Sequence, residues 1–228
     1  LSLQDSLQKT CSTSLCLVVI LLPFFTFMWQ TGSSSLVSFS TTSAKNSFCK
    51  VMKKTPGCIC EHCYTDKGFL KTVVNSEKLI NNYKLVTTQT VDWQKITGVE
   101  QLENTKYIRL EAFGEFENEL QFKNYLNLAK LFKKSNFTLW TKRTDLIKKV
   151  FEKEKKPKNF QLIVSSRKLN VPEDISEIKH VVDKVFTVYT KDEVASENVV
   201  INCGSKACLT CKLCYTKNKV LEINELLK

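Results

Sequence analysis

Arginine is scarce in this chain. Of 34 lysines and arginines in 228 residues, only Arg109, Arg143 and Arg167 are arginine. Proteins that read DNA sequence rely on arginine forks against base edges, so specific DNA reading is poorly supported. Histidine occurs twice, as His62 and His180. That leaves little for hydrolases built on histidine, and the P-loop, GxGxxG, GxSxG and HExxH patterns are missing. Six glycines and four prolines exclude a large structureless region. No apolar run reaches the roughly 20 residues of a comfortable membrane helix. Leu15–Trp29 comes nearest, with 15 residues and Pro23 inside it.

What remains is a globular mixture, 43% hydrophobic and 25% charged, with a net charge of +11. The length fits one ordinary domain, or one domain plus a small module. The charge admits nucleic acid or another polyanion as a partner. It equally describes a lysine-rich solvated surface. The segment Lys142–Lys158 concentrates it, with eight basic and three acidic residues.

The first 35 residues differ from the rest. No charge occurs between Thr10 and Ala44, and the first methionine is Met28. Three readings stand for residues 1–27: an extension upstream of a start at Met28, a targeting or anchor segment, or a folded element. A membrane partner follows only if residues 1–29 are genuine. Thr31–Ala44 has nine Ser/Thr in fourteen positions and reads as a strand or loop lead-in. The expected organisation is a leader over 1–35 outside the fold, an α/β domain over 36–202, and a cysteine-rich metal segment over 203–228.

Beyond the leader, strands and helices alternate. Asp66–Lys84 carries a helical stripe of Phe69, Leu70, Val73, Val74, Ile80 and Tyr83. Tyr107–Phe113 reads as a strand, and Asn118 as the cap of a helix with Phe122, Tyr125, Leu126, Ala129 and Phe132 on one side. Phe137–Trp140, Phe160–Val164, Lys184–Tyr189 and Asn198–Ile201 read as further strands. Between them lie helices at Asp145–Lys153, Pro172–Ile178 and Lys191–Ser196. Such alternation predicts an α/β fold of βα repeats around a mainly parallel sheet. Ligands in such folds bind at the strand C-termini, whether the sheet is open or closed. The candidate ligand-binding residues are therefore Arg109, Glu111, Gly114, Glu115, Trp140, Lys142, Arg143, Ser165, Ser166 and Tyr189. Lys142 and Arg143 suit an anionic ligand. The rival reading is that every strand must end in something polar.

Ten cysteines are the strongest signal. Two, Cys11 and Cys16, lie in the leader. Cys203, Cys208, Cys211 and Cys214 form C-x4-C-x2-C-x2-C, a spacing that lets thiolates converge on a zinc ion or a four-iron cluster. Cys49, Cys58, Cys60 and Cys63 form a less regular group, in which Cys58 is an optional fourth ligand and the other three leave one metal position open. About 140 residues without cysteine separate the groups, unlike a secreted disulfide scaffold. Clustered free thiols imply a reducing, cytoplasmic setting. The expected cofactor is an iron–sulfur cluster of the 4Fe-4S type, with zinc as the alternative.

The runs YIRLEAFGEFENELQFKNYLNLAKLFKKSNFTLWTKR, FCKVM…CEHCY, KPKNFQLIVSS, DKVFTVYT and INCGSKACLTCKLCY resemble the phage gene product 88 family over roughly residues 36–228. That family carries no established activity, so the resemblance implies a fold and a site rather than a reaction. Cys58 is an addition to its usual pattern. A wider likeness is to radical S-adenosylmethionine enzymes, and it implies a partial (βα) barrel. In that likeness Cys49, Cys60 and Cys63 hold the first cluster, and Glu111 with Gly114–Glu115 holds the cofactor's amino group. Cys203, Cys208, Cys211 and Cys214 hold an auxiliary cluster. The chain departs from the usual CxxxCxxC, because ten residues separate Cys49 from Cys60. Two function classes follow. One is a radical-type iron–sulfur enzyme acting on an unknown small-molecule or macromolecular substrate. The other is a zinc-stapled, non-catalytic module that binds nucleic acid or protein.

Overall fold

The computed structural model describes residues 36–227. The leader over 1–35, with Cys11 and Cys16, lies outside the described residues.

Six strands form one sheet in the order of the chain: β1 (Leu36–Phe39), β2 (Tyr107–Leu110), β3 (Asn136–Thr141), β4 (Phe160–Ser165), β5 (Lys184–Tyr189) and β6 (Glu222–Leu226). Every pairing is parallel. The sheet is open, with β1 and β6 at its edges. Among the described residues, seven α-helices accompany it: α1 (Ser47–Met52), α2 (Gly68–Val74), α3 (Glu77–Thr88), α4 (Glu119–Leu131), α5 (Thr144–Phe151), α6 (Lys191–Ser196) and the single turn α7 (Cys208–Cys211).

Alternation along each strand divides the sheet into two faces. Val37, Phe39, Ile108, Leu110, Phe137, Leu139, Phe160, Leu162 and Val164 point to one face. There they bury against Val86 of α3, Phe122, Tyr125, Leu126 and Ala129 of α4, and Leu146, Ile147 and Val150 of α5. Phe122 lies at its centre, stacked on Phe116 at 4.8 Å and edge-on to Phe151 at 5.4 Å. The opposite face carries Ser38, Tyr107, Arg109, Thr138, Trp140, Gln161 and Ile163. A smaller cluster of Leu36, Tyr107 and Tyr215, with Trp140, Cys208 and Leu209, covers part of it. Consecutive residues of each strand thus serve a helix-packed face and a face met by the C-terminal cysteine segment.

Local chemistry explains most element ends. Asn118 accepts from the Gln121 N–H at 2.9 Å and starts α4 as expected. Thr190 caps α6 in the same way. The single helix expected over Asp66–Lys84 is two. Asn75 closes α2, and extended Ser76 opens α3, both being residues that favour caps over helix interiors. Pro172–Ile178 yields only a 3-10 turn at Ser176–Ile178.

Asn198–Ile201 is not a strand. Asn198 has a φ of 51° and Val200 is 74% exposed. The segment instead lies along β6, tied by side chains: Asn202 Oδ1 accepts from the Asn224 N–H, and Asn224 Nδ2 donates to the Val200 carbonyl. The edge position belongs to β6, so residues 203–228 contribute a strand to the same sheet. Among the described residues, no helix is long and apolar enough to cross a membrane.

Candidate functional site

The first cysteine group occupies the connection after β1, above the strand C-termini. Cys49 lies in α1, whose cap Asn46 accepts from the Cys49 N–H at 2.8 Å and donates to the Glu115 carbonyl at 2.7 Å. Cys58 makes an antiparallel bridge to Lys168, and the Ile59 N–H donates to the Arg167 carbonyl at 2.8 Å. The group therefore reaches from the end of β1 to the segment just past β4. Tyr64, next to Cys63, has its ring half exposed while its hydroxyl donates to the Ala112 carbonyl past β2. A groove of about 500 Å³ opens beside this group, lined by Met52, Gly57, Cys58, Arg167, Lys168 and Pro172 among others.

The second group follows the bridge of Cys203 to Glu225 of β6. It continues through α7 to Cys214, whose carbonyl accepts from Thr138 Oγ1 at 3.3 Å. Tyr215 then packs against Tyr107 at 5.6 Å and Trp140 at 5.7 Å. No disulfide joins the eight described cysteines.

The thiols of each group act on one another. Burial, then Glu115, Cys60 and Cys63, push the Cys49 thiol far above its ordinary value. Cys60 is pushed up to about 12, burial first, with Lys142 pulling the other way. Cys214 is also pushed up to about 12, by burial and then by Cys203, Cys208 and Cys211, with Arg109 opposing. Thiols in this state stay protonated until a cation displaces their protons. The donor chemistry thus fits a metal. The geometry is looser: among the described residues, no group of three or more His, Cys, Asp or Glu side chains is arranged to hold an ion.

Glu111 and Glu115 are nearly fully buried, and their carboxylates are taken by protein donors. Glu111 accepts from the Thr41 N–H and hydroxyl, from Gln121 Nε2 at 2.7 Å and from the Tyr125 hydroxyl. Its backbone is left-handed, at φ 55°. A side chain on Gly114 would meet Glu111 Oε2 at 2.6 Å, so only glycine permits this approach. Burial raises the Glu111 carboxyl to about 7 against the pull of the Tyr125 and Thr41 hydrogen bonds. Glu115 accepts from Thr141 Oγ1, the Lys142 N–H and the Phe116 N–H, and burial raises it too.

The other sequence candidates divide. Arg109 lies over the Trp140 ring at 4.6 Å. Arg143 is committed to the fold: it pairs with Asp145 at 2.8 Å and donates to the Phe116 and Glu117 carbonyls. Ser166 accepts from the Glu173 N–H and contacts Thr187 Oγ1 at 3.0 Å. Ser165 is buried on the opposite face. Tyr189 ends β5 on the helix-packed side, where burial and Glu222 raise its hydroxyl. The structure therefore brings Cys49, Cys60, Cys63, Glu115 and Lys142 together, and Arg109 with Trp140 and Cys214. It leaves Tyr189 apart. Thr41 and Asn46 carry no local pattern because their hydrogen bonds to Glu111 and Glu115 span 70 and 69 residues, and Gln121 and Tyr125 read as ordinary positions of α4 although they lie 10 and 14 residues from Glu111. Tyr215 and Gln161 carried a usable signal: one follows Cys214 and the other alternates with core positions on β4.

An open, all-parallel α/β sheet with a cysteine group on the strand C-termini and a second group on one face defines the class. The gene product 88 family matches residues 23–224, and the chain belongs to that family. No curated protein and no solved structure matches the chain.

Proposed function

We propose that this chain is a metal–thiolate protein, with iron–sulfur ahead of zinc, that acts on a ligand held at the strand C-termini. The observation that carries the reading is the gathering of seven thiols into two groups, Cys49, Cys60 and Cys63 on the connection after β1 and Cys203, Cys208, Cys211 and Cys214 beside β6, where burial first and then the neighbouring thiols raise Cys49, Cys60 and Cys214. A cation that displaces their protons finds several sulfur donors within one short segment. Cys49, Cys60 and Cys63 would hold one ion or cluster and Cys203, Cys208, Cys211 and Cys214 another. Holding either requires the loops to draw the thiols inward. Two separate sites are favoured because each group's thiols act on members of their own group. A bound cluster would supply electron transfer or an open coordination position.

The chain's own residues do the rest. Lys142 places positive charge beside Cys60, which favours the thiolate form. Tyr64, Asn46 and Glu115 fix the loop to the ends of β2 and β3. The groove beside Cys58 gives a ligand access to the strand ends. The finer reading, radical S-adenosylmethionine chemistry, rests on the sequential parallel strand order and on cysteines placed after β1. The carboxylates of Glu111 and Glu115 are already engaged by protein donors, so a cofactor amine would have to displace them.

The test is iron, sulfide and zinc content of the full chain purified without oxygen, with its absorption spectrum. Iron and sulfide with a broad visible band support the reading, and cleavage of S-adenosylmethionine on reduction tests the finer one. Stoichiometric zinc without colour converts both groups to structural staples. Protein free of both metals rejects the reading.

A second reading, nucleic-acid binding, has the +11 charge behind it. Within Lys142–Lys158, however, Arg143, Lys148 and Lys156 already face Asp145, Glu177 and Asp183. DNA or RNA affinity that falls steeply with salt would favour it.

A further inference from the structure

Among the described residues, four buried side-chain nitrogen or oxygen atoms lack a hydrogen-bond partner, and three are Arg109 Nε, Gln161 Oε1 and Tyr215 Oη. All three belong to the face of the sheet opposite the helices. Arg109 pairs in register with Thr138, and Thr138 with Gln161. Their positions are thus one row across adjacent strands, with Arg109 and Gln161 roughly 10 Å apart at Cα. Tyr215 sits over this row, against Tyr107 and Trp140. Tyr215 is 1% exposed and Gln161 3%.

Arg109 forms no ion pair among the described residues; its guanidinium rests on the Trp140 ring and faces the Tyr215 hydroxyl. The nearest carboxylate in sequence, Glu111, is occupied by four donors. A buried guanidinium Nε with no acceptor is costly, and so is a buried hydroxyl outside good hydrogen-bond geometry. Arg109 and Trp140 are themselves part-exposed, so this end of the row meets solvent, with Gln161 and Tyr215 beneath it. Thr138, in the middle of the row, donates to the Cys214 carbonyl, and Tyr64, beside Cys63, donates to the Ala112 carbonyl just past β2, so the row lies between the two cysteine groups.

We propose that Arg109, the Tyr215 hydroxyl and the Gln161 amide form a binding subsite for the carboxylate or phosphate group of a small ligand, on the sheet face between the two cysteine groups. Arg109 supplies the charge and a planar set of N–H donors. Tyr215 supplies an O–H. The Gln161 amide, turned by half a rotation, presents N–H donors in place of its unpaired oxygen. The subsite goes beyond the metal–thiolate reading and does not depend on which metal is bound.

The experiment titrates the full chain with inorganic phosphate and, separately, with acetate, at constant ionic strength in chloride. Calorimetry and tryptophan emission, with Trp140→Phe as the control that assigns the signal, report binding, and metal content is measured on the same sample. The expected result is saturable binding of at least one anion at one site per chain. Arg109→Gln weakens it at least tenfold, Tyr215→Phe weakens it severalfold, and Lys148→Gln leaves it unchanged. Saturation by phosphate alone assigns a phosphate-bearing ligand, and saturation by acetate alone a carboxylate; either supports the subsite. No saturation by either anion, or unchanged affinity in folded Arg109→Gln, overturns it. If Arg109→Gln does not fold, an unchanged affinity in Tyr215→Phe overturns it. Metal retained without anion binding rejects the subsite alone, and anion binding by metal-free protein rejects the metal reading alone.

Discussion

On the helix-packed face, Phe116, Phe122, Phe151 and Phe160 meet ring to ring, and every strand side chain beneath them is apolar or hydrogen-bonded. On the opposite face, Arg109, Gln161 and Tyr215 leave buried polar atoms unpaired, against Asn82 Oδ1 of α3 on the helix side among the described residues. The same strands build both, since neighbouring residues point to opposite sides. One face supplies stability through close packing. The other tolerates unpaired groups, which persist in folded proteins where function needs them.

The largest expected effect lies on the packed face. Phe122→Ala should cost about 3–5 kcal/mol, because the ring is fully buried and its neighbours cannot collapse into the space. Urea unfolding measures it, and a loss under about 1 kcal/mol would mean the packed face is not where stability resides.

Glu111 tests the junction between the faces. Its folded carboxyl titrates at about 7, against 4.5 ordinarily. Between those values the folded state keeps a proton that the unfolded chain releases. Stability should therefore fall as pH rises through that window, by about 3 kcal/mol in full. Glu111→Gln should flatten this slope while leaving donors unpaired, at a cost of about 1–3 kcal/mol near pH 5. Urea midpoints at pH 5 and pH 8 for both proteins check it. A parent protein equally stable at both pH values contradicts it.

The smallest effect belongs to neither face. Lys148 and Glu177 are both exposed and 3.0 Å apart. Lys148→Ala should change stability by no more than about 0.5 kcal/mol. A larger loss by thermal unfolding would show that surface pairs carry weight that the two faces are assigned here.

Much of the packed face was legible in the sequence, because helical spacing and apolar strands are local patterns. Spacing by three and four alone puts Phe122, Tyr125, Leu126 and Ala129 on one side of α4. β6 was missed because Glu222–Leu226 mixes charged and apolar residues as an edge strand does. Val199–Ile201 misled for the converse reason, being an apolar run held on the surface by Asn202 and Asn224. The cysteine groups were legible from spacing. Their surroundings were not, because Thr41 with Glu111, Asn46 with Glu115 and Tyr215 with Trp140 meet only through the fold.

Tyr215→Phe sets the two faces against each other most directly, since it removes one oxygen and leaves the ring packing intact. Stability by urea unfolding and affinity for inorganic phosphate and acetate would be measured on the same sample. Removing an unpaired buried hydroxyl should leave the protein unchanged or up to about 1 kcal/mol more stable, while anion affinity falls. A variant that loses stability and keeps full affinity would contradict the account, because the opposite face would then be ordinary core.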